Sequence, residues 1–267
     1  MKKHLISAIS IVSAVSALLF LAGLWMVFED QQTKATGVKT ETARTGNNTS
    51  KAGGTKQITI TAIGDSLTRG TGDTAGKGYA GYVADRLKKK TKKAVLLQNN
   101  GIKGLTSSGL LEQIKQPQIK RELKSADIIL LTIGGNDLFA GGEALDHLNT
   151  AYIEKLEKPY LANLKQIYAG IRAVNKTAIV YHVGLYNPFI DLSEAKTTSA
   201  IVRKWNFDSA SVASDFPKII YVPTFDLFEQ NVNDYLYSDK FHPNTAGYQL
   251  IGERVASLIH YREEKAK

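Results

Sequence analysis

The stretch Ile58-Thr59-Ile60-Thr61-Ala62-Ile63-Gly64-Asp65-Ser66-Leu67-Thr68-Arg69-Gly70 decides how the rest of the chain is arranged. Its first six residues are apolar or β-branched and predict a buried strand that ends at Gly64. Ser66 follows, before a glycine-rich loop at 70–78. Ligands of parallel α/β sheets bind beyond the carboxyl ends of the strands, so Ser66 is a candidate nucleophile. A serine-containing strand-to-helix turn or a phosphate-binding loop would show the same local pattern.

Downstream of Ser66, strand patterns alternate with helix patterns. The predicted strands lie at 57–63, 94–99, 126–133, 177–183 and 218–222, and the predicted helices at 79–87, 106–116, 150–174, 193–214 and 244–261. This alternation predicts an α/β fold, a three-layer α/β/α sandwich around a five-stranded parallel sheet. The pattern leaves the strand order open. A flavodoxin-like order would make the first and third strands neighbours and bring Ser66 close to Asn136.

The N-terminal part of the chain differs in kind from the rest. Residues 5–28 contain no charge, and their length is sufficient for a transmembrane helix. Lysines precede this segment and acidic residues follow it, which predicts an anchor with the remainder of the chain on the extracellular side. A cleaved signal peptide is the alternative, and it would make the domain a secreted one. We therefore expect a signal anchor at 1–28, a flexible linker at 29–56 and a catalytic domain at 57–267.

Composition excludes several classes of protein. The chain has no cysteine, which rules out disulfides, thiolate metal sites and a cysteine nucleophile. The net charge of +9 is compatible with anionic partners such as cell-wall polymers. The lysines are dispersed without an aromatic platform, so we expect no nucleic-acid partner. The sequence gives no indication of the oligomeric state.

A candidate base lies just before the last predicted helix, in Asp239-Lys240-Phe241-His242-Pro243-Asn244. An imidazole is a suitable general base for a serine, and it needs an acceptor on its other nitrogen. Asp239 is close enough in sequence to His242 to supply that acceptor. His182, at the end of the fourth strand, is the rival base. The acidic residues Asp65, Asp137 and Asp239 with His242 would be the ligands of a metal site, although no motif with metal-ligand spacing supports one.

Acyl transfer also requires hydrogen-bond donors for the developing oxyanion. The candidates are the backbone N–H groups of Ser66 and Gly104 and the side-chain amide of Asn136. A glycine at 104 permits unusual backbone torsions in the turn after the second strand. Each of these residues follows a predicted strand, so all of them are expected at one edge of the sheet.

Together these residues resemble the four sequence blocks of the GDSL family of serine hydrolases, also called SGNH hydrolases. The matching segments are Gly64-Asp65-Ser66-Leu67, Asn99 to Thr106, Gly134-Gly135-Asn136-Asp137 and Asp239-Lys240-Phe241-His242. The resemblance implies a flavodoxin-like sandwich, Ser66, His242 and Asp239 as the catalytic triad, and no metal or organic cofactor. Gly64 to Asp73, with Gly184 to Pro188, looks most like a membrane-anchored bacterial subgroup similar to lysophospholipases.

The resemblance implies an esterase or lipase that forms an acyl-enzyme on Ser66. Its substrate would be a small-molecule, lipid or cell-wall acyl ester, including O-acetyl groups on glycans. The loops at 70–78 and 184–192 are expected to border the site. Two functions of other classes remain open: an exported, membrane-tethered cell-wall binding module with a degenerate hydrolase fold, and a metal-dependent phosphoesterase.

Overall fold

The computed structural model describes residues 57–91, 93–139, 142 and 145–260. The predicted anchor at 1–28 and linker at 29–56 lie outside these residues. In the part of the chain that is described, no helix has both the length and the apolar composition that crossing a membrane requires.

Five short apolar segments form a single parallel sheet, as the alternating pattern predicts. The strands are β1 Ile58–Gly64, β2 Val95–Gly101, β3 Ile128–Thr132, β4 Ile179–Val183 and β5 Ile219–Val222. Their order is β2-β1-β3-β4-β5. This is the flavodoxin-like order, in which the chain reverses direction across the sheet between β1 and β3. Gly64 pairs with Gly101 on one side and with Thr132 on the other, so the ends of β1, β2 and β3 are level.

Helices cover both faces of the sheet and form two hydrophobic cores. The helices are α1 Ser66–Arg69, α2 Gly78–Thr91, α3 Ser107–Gln113, α4 Pro117–Ser125, α5 Gly135–Phe139, α6 Thr150–Val174, α7 Ala195–Ser214, α8 Phe225–Phe228, α9 Val232–Tyr235 and α10 Thr245–Leu258. Alternate residues of β3 pack into opposite cores. Ile129 and Leu131 belong to one core, and Ile128 and Leu130 belong to the core on the other face of the sheet. This alternation follows from the pleat of a strand that is buried on both faces.

The structure differs from the predicted helices between the second and third strands. The predicted helix 106–116 ends earlier, at Gln113, and a second helix, α4, begins at Pro117. Pro117 stands in the first turn, where proline fits because the missing N–H would have no partner there. Only Ile119 and Leu123 of α4 are buried, so its apolar pattern is too sparse to show a helix by periodicity.

Candidate active site

The turn after β1 holds Ser66 in place through close backbone packing. Gly64 has a φ of 135°, and a Cβ atom there would lie 2.0 Å from the Thr132 carbonyl oxygen. Only glycine therefore lets β1 and β3 approach this closely at their ends. Ser66 is 3% exposed and is the first residue of α1. The first amides of a helix have no acceptor within the helix, and they carry the positive end of its dipole.

Buried hydrogen bonds support the turn from behind. The Asp65 carboxylate caps α1 by accepting the Leu67 N–H at 3.0 Å, and it also accepts the Thr132 hydroxyl at 2.7 Å. Thr68 donates its N–H to the Thr132 hydroxyl oxygen at 3.2 Å. Thr132 is the last residue of β3. The position of Ser66 therefore depends on the neighbouring strand as well as on its own.

His242 reaches Ser66 from the far end of the chain. Its Nε2 lies 2.8 Å from the Ser66 Oγ, and its Nδ1 lies 2.7 Å from the Asp239 Oδ2. An ionised carboxylate can only accept hydrogen bonds, so Nδ1 carries the proton and Nε2 is left to accept the serine proton. The structure thus brings the three residues Ser66, His242 and Asp239 into one hydrogen-bonded chain.

The backbone between Asp239 and His242 makes this geometry possible. The Asp239 Oδ1 accepts the N–H groups of Phe241 and His242 at 3.0 and 2.9 Å, which folds the segment around its carboxylate. Lys240 adopts a φ of 57° within this tight turn. Asn244 then caps α10 by accepting the Gly247 N–H at 3.0 Å, as its sequence position predicts. The histidine is therefore held between a tight turn and a capped helix.

The carboxylate of Asp239 remains ionised because of these contacts. Burial alone would raise the pKa of Asp239, but the hydrogen bonds from the His242 side chain and from the backbone of His242 and Phe241 outweigh it. The net result is a pKa below the ordinary value of 3.8. Asp239 is therefore a hydrogen-bond acceptor for His242 at neutral pH.

The glycine-rich loop at 70–78 packs against the histidine segment. A Cβ on Gly72 would lie 2.6 Å from the Pro243 carbonyl oxygen and 3.2 Å from the His242 Cβ. Asp73 holds the loop by accepting the N–H groups of Ala75, Lys77 and Gly78, and its Oδ1 accepts the Thr245 hydroxyl of α10 at 2.7 Å. The loop therefore joins the serine turn to the helix that follows His242.

The two predicted oxyanion residues outside the serine turn lie on segments that are bonded to each other. Gly104 has a φ of 76° in the turn after β2, where the Ile102 N–H donates to the Gly64 carbonyl at 2.9 Å. Asn136, on α5, donates its side-chain amide to the Leu105 carbonyl at 2.8 Å. This bond ties Asn136 to the turn that carries Gly104.

A second link between these segments joins Asp137 to Ser107, and the sequence does not predict it. Both oxygens of Asp137 accept the Ser107 N–H, at 3.1 and 2.9 Å, and the Ser107 hydroxyl donates to Asp137 Oδ1 at 2.5 Å. Thr106 is the N-cap residue of α3, but its side chain makes no capping bond, so Asp137 supplies the cap from α5. We refer to these contacts between Asp137 and Ser107 as the Asp137 clamp.

A small cavity opens beside Ser66 and Asn136. Its volume is about 20 Å³. Its other walls come from the serine turn, from α5, from the loop after β4 and from the residue before His242. They are lined by Asp65, Leu67, Gly135, Phe139, Leu185, Tyr186, Pro188 and Phe241. The predicted loop at 184–192 therefore does border the site. Leu185 lies in the loop that was expected to border the site, whereas Phe139 belongs to no motif and no pattern in the sequence indicates it.

His182, the rival base, is a buried core residue. It is 1% exposed, and its Nδ1 lies 2.5 Å from the Tyr168 hydroxyl. Burial lowers the pKa of His182 to about 4, so the ring stays neutral at neutral pH. The structure pairs Ser66 with His242 and gives His182 a structural role between β4 and α6.

The alternative metal site is not formed by the residues considered for it. Among the described residues, no group of three or more His, Asp or Glu side chains could hold a metal ion. Asp65 caps α1 and Asp137 caps α3, while Asp239 binds His242. Each of these carboxylates accepts hydrogen bonds from a different part of the structure.

Comparisons with known sequences show the family to which the chain belongs. The GDSL-like Lipase/Acylhydrolase family matches residues 62–250. The uncharacterized protein YpmR of Bacillus subtilis is 38% identical over 211 residues, which cover 76% of this chain and 82% of that protein. The spore germination lipase LipC of Bacillus licheniformis is 29% identical over 218 residues, which cover 78% of this chain and 99% of that protein.

Solved structures share the same architecture. The lipase Lip_vut3 from a goat rumen metagenome superposes with a TM-score of 0.68 at 25% identity, covering 75% of this chain and 96% of its own. A mutant of Axe2, an acetylxylan esterase from Geobacillus stearothermophilus, superposes with a TM-score of 0.58 at 18% identity, covering 75% and 93%. The second similarity concerns the fold alone. From the family match and the shared fold, we conclude that the chain belongs to the GDSL-like lipase/acylhydrolase family and is an ester hydrolase.

Proposed function

We propose that this enzyme cleaves carboxylic esters through an acyl-enzyme formed on Ser66. The observation that carries the proposal is the continuous hydrogen-bonded chain from Asp239 through His242 to the Ser66 Oγ, with both bonds between 2.7 and 2.8 Å. A serine hydroxyl is a weak nucleophile until an adjacent base accepts its proton. His242 is placed to act as that base, and Asp239 to orient it.

In the first half of the reaction, the Ser66 Oγ attacks the ester carbonyl while its proton passes to the His242 Nε2. The carbonyl oxygen becomes an oxyanion, and His242 carries a positive charge stabilised by the Asp239 carboxylate. His242 then donates its proton to the leaving alkoxide, so that an alcohol departs and the acyl group stays on Ser66. Proton and charge therefore return to their starting balance within this half-reaction.

In the second half, a water molecule takes the place of the alcohol. His242 accepts a proton from this water as the water oxygen attacks the acyl carbon, and it returns the proton to Ser66 as the carboxylic acid leaves. Free enzyme is regenerated. No step requires a metal ion or an organic cofactor.

The oxyanion would be held by the N–H groups of Ser66 and Gly104 and by the Asn136 amide. Ser66 offers an N-terminal helix amide, Gly104 an amide in a turn bonded to the end of β1, and Asn136 a side chain in the wall of the cavity. Preorganised donors of this kind each contribute a factor of about 10²–10³ in rate.

Substitution of the two reacting residues tests this mechanism. We expect Ser66→Ala and His242→Ala to lose nearly all hydrolysis of nitrophenyl acetate, a loss of about 10⁶-fold in kcat. The matched controls are Ser214→Ala and His147→Ala, which change the same residue types away from the cavity. Turnover in either active-site variant at the level of its control would refute the assignment.

The substrate is proposed to be an acyl ester of a lipid or of a glycan. Support comes from the relative LipC, which is described as a spore germination lipase. The net charge of +9 is compatible with an anionic lipid surface or cell-wall polymer as the surrounding material.

We also propose that residues 1–28 anchor the enzyme in the cell membrane, with the catalytic domain outside. The uncharged run from Leu5 to Phe28, with lysines before it and acidic residues after it, supports this location. Mass spectrometry of the chain from membrane and medium fractions tests it. An intact N-terminus in the membrane fraction is the expected result, and a chain shortened beyond Phe28 in the medium would contradict it.

A further inference from the structure

We propose that the cavity beside Ser66 is the acyl-binding site and that it selects short acyl groups, of the size of acetyl or propionyl. Phe139 is one of the walls that sets this limit. The proposal rests on the ester hydrolysis proposed above and adds to it the class of acyl group.

The lining of the cavity indicates that it receives the acyl group and not the alcohol. Ser66 and Asn136 both line it, whereas His242 does not. The leaving alkoxide must face the His242 Nε2 to receive its proton. Of the other two groups on the ester carbon, the carbonyl oxygen faces the Ser66 N–H and the Asn136 amide, which leaves the acyl chain to the apolar part of the cavity.

The chemical character of the walls fits a hydrocarbon. Beyond the polar residues at the reacting centre, the walls are the side chains of Leu67, Phe139, Leu185, Tyr186, Pro188 and Phe241. Binding sites of this kind place apolar side chains around the ligand and a few polar groups at the reacting atoms. Charged or strongly hydrated acyl groups would lose their hydration here without compensation.

The size of the cavity limits the length of the chain. The volume of about 20 Å³ compares with roughly 10–15 Å³ for a cavity that just holds a single water molecule. One or two carbon atoms beyond the carbonyl can therefore be accommodated before the chain meets a wall. Longer chains must either displace a wall or extend through the mouth of the cavity, where they lose its apolar contacts.

The walls are held by contacts that oppose such movement. The ring of Phe139 packs edge-on against Phe189 and Phe241, with centroid distances of 5.1 and 5.8 Å. Asn206 of α7 accepts the Leu185 N–H at 2.9 Å and donates to the Leu185 carbonyl at 2.7 Å. Opening the cavity on the side of Phe139 or Leu185 would break these ring contacts or hydrogen bonds.

Nitrophenyl esters of graded acyl length test the inference with the full chain. For the unmodified enzyme we expect kcat/KM to fall by about tenfold or more from the acetate to the octanoate, because methylenes that exceed the cavity either displace a wall or remain outside it without apolar contacts. Phe139→Ala should raise the ratio of octanoate to acetate activity by about tenfold. Phe207→Ala is the matched control, since Phe207 is 72% exposed on α7 and should leave the ratio unchanged.

The outcomes separate the two proposals. Octanoate hydrolysis as fast as acetate hydrolysis in the unmodified enzyme would overturn the chain-length limit and leave ester hydrolysis standing. An unchanged ratio in a folded Phe139→Ala would overturn the role of Phe139. Leu185→Ala, which removes a different wall, provides the second variant should Phe139→Ala fail to fold. Failure of the folded enzyme to cleave any ester would overturn the proposed function and the inference with it.

Discussion

At the scale of single residues, two aspartates near Ser66 have opposite electrostatic properties. Asp65 is 1% exposed, and burial raises its pKa in spite of hydrogen bonds from Thr132 and Leu67. Burial also acts on Asp239, but the bonds from His242 and the backbone outweigh it and lower its pKa. Environments that shift the pKa values of two nearby carboxyl groups in opposite directions indicate different roles for them. In the proposed mechanism Asp239 supports the charge that develops on His242, whereas Asp65 caps α1.

The charge of Asp239 should therefore matter more than its shape. Asp239→Asn keeps a similar volume but removes the charge and the acceptor that fixes the His242 tautomer, so kcat should fall by about 10⁴-fold. Steady-state hydrolysis of nitrophenyl acetate measures this. The control is Asp234→Asn, which changes an exposed aspartate five residues before Asp239 and should retain full activity. A kcat for Asp239→Asn close to that of the control would contradict the role assigned to Asp239.

At the scale of secondary-structure elements, the Asp137 clamp joins α5 to the N-terminus of α3. Gly104 lies shortly before α3, and Asn136 lies on α5. Two kinds of contact hold these elements together: the Asn136 amide on the Leu105 carbonyl, and the Asp137 carboxylate on Ser107. The separation of the two proposed oxyanion donors is thus set by these bonds, and Asp137 and Ser107 contribute to it without contacting the substrate themselves.

Removal of the clamp should affect catalysis more than substrate binding. We expect Asp137→Ala to lower kcat by about 10²-fold with little change in KM, since a displaced donor loses its contact with the transition state. Kinetics on nitrophenyl acetate and urea unfolding measure the two effects. Asn149→Ala removes the cap of α6 instead, and it should lower the free energy of unfolding by about 1 kcal/mol without changing kcat.

A purely structural role for Asp137 makes a different prediction. In that case, Asp137→Ala would reduce stability as Asn149→Ala does, and the kcat of the folded fraction would be unchanged. That result would contradict the positioning role.

Asp73, in the loop at 70–78, makes the stability of the fold depend on pH. The hydrogen bonds to Asp73 from Thr245 and from the loop backbone outweigh the effect of burial and lower its pKa from 3.8. A lowered pKa in the folded state stabilises the protein above the unfolded value, and this stabilisation is lost as the pH falls through the folded value.

Asp73→Asn should therefore be less stable than the unmodified protein at neutral pH, and the difference should shrink below about pH 4. Urea unfolding at a series of pH values measures the difference in the free energy of unfolding. A difference that stays constant over this range would show that ionisation of Asp73 does not stabilise the fold.

At the scale of the whole molecule, the positions of the strands were predictable because each is a compact apolar run between turn residues. The closeness of the segments that carry Ser66, Gly104 and Asn136 was predictable because parallel strands end at one edge of the sheet. The order of the strands did not follow from the pattern alone, since it depends on which faces pack together; the family resemblance implied it, and the structure confirms it. The observed order places β1 between β2 and β3, and this adjacency brings the Ser66, Gly104 and Asn136 segments together.

Contacts between side chains of distant segments were also beyond prediction. The sequence suggests a metal-ligand role for Asp137 and a place in the third block of the family resemblance. Nothing in it relates Asp137 to Ser107. The apolar walls of the cavity, such as Phe139 and Leu185, look like ordinary core residues. His182 looked suitable as a base by its place at a strand end, and only its contact with Tyr168 shows that it belongs to the core.

The central claim is that Ser66 is the nucleophile of an ester hydrolase, and covalent labelling tests it most directly. A fluorophosphonate reacts with an activated serine and forms a stable tetrahedral adduct on its oxygen. We predict one adduct per chain, located by peptide mass spectrometry on Ser66, with loss of esterase activity in proportion to labelling and no adduct in His242→Ala. Labelling at another residue, or full esterase activity in a chain labelled at Ser66, would contradict the account.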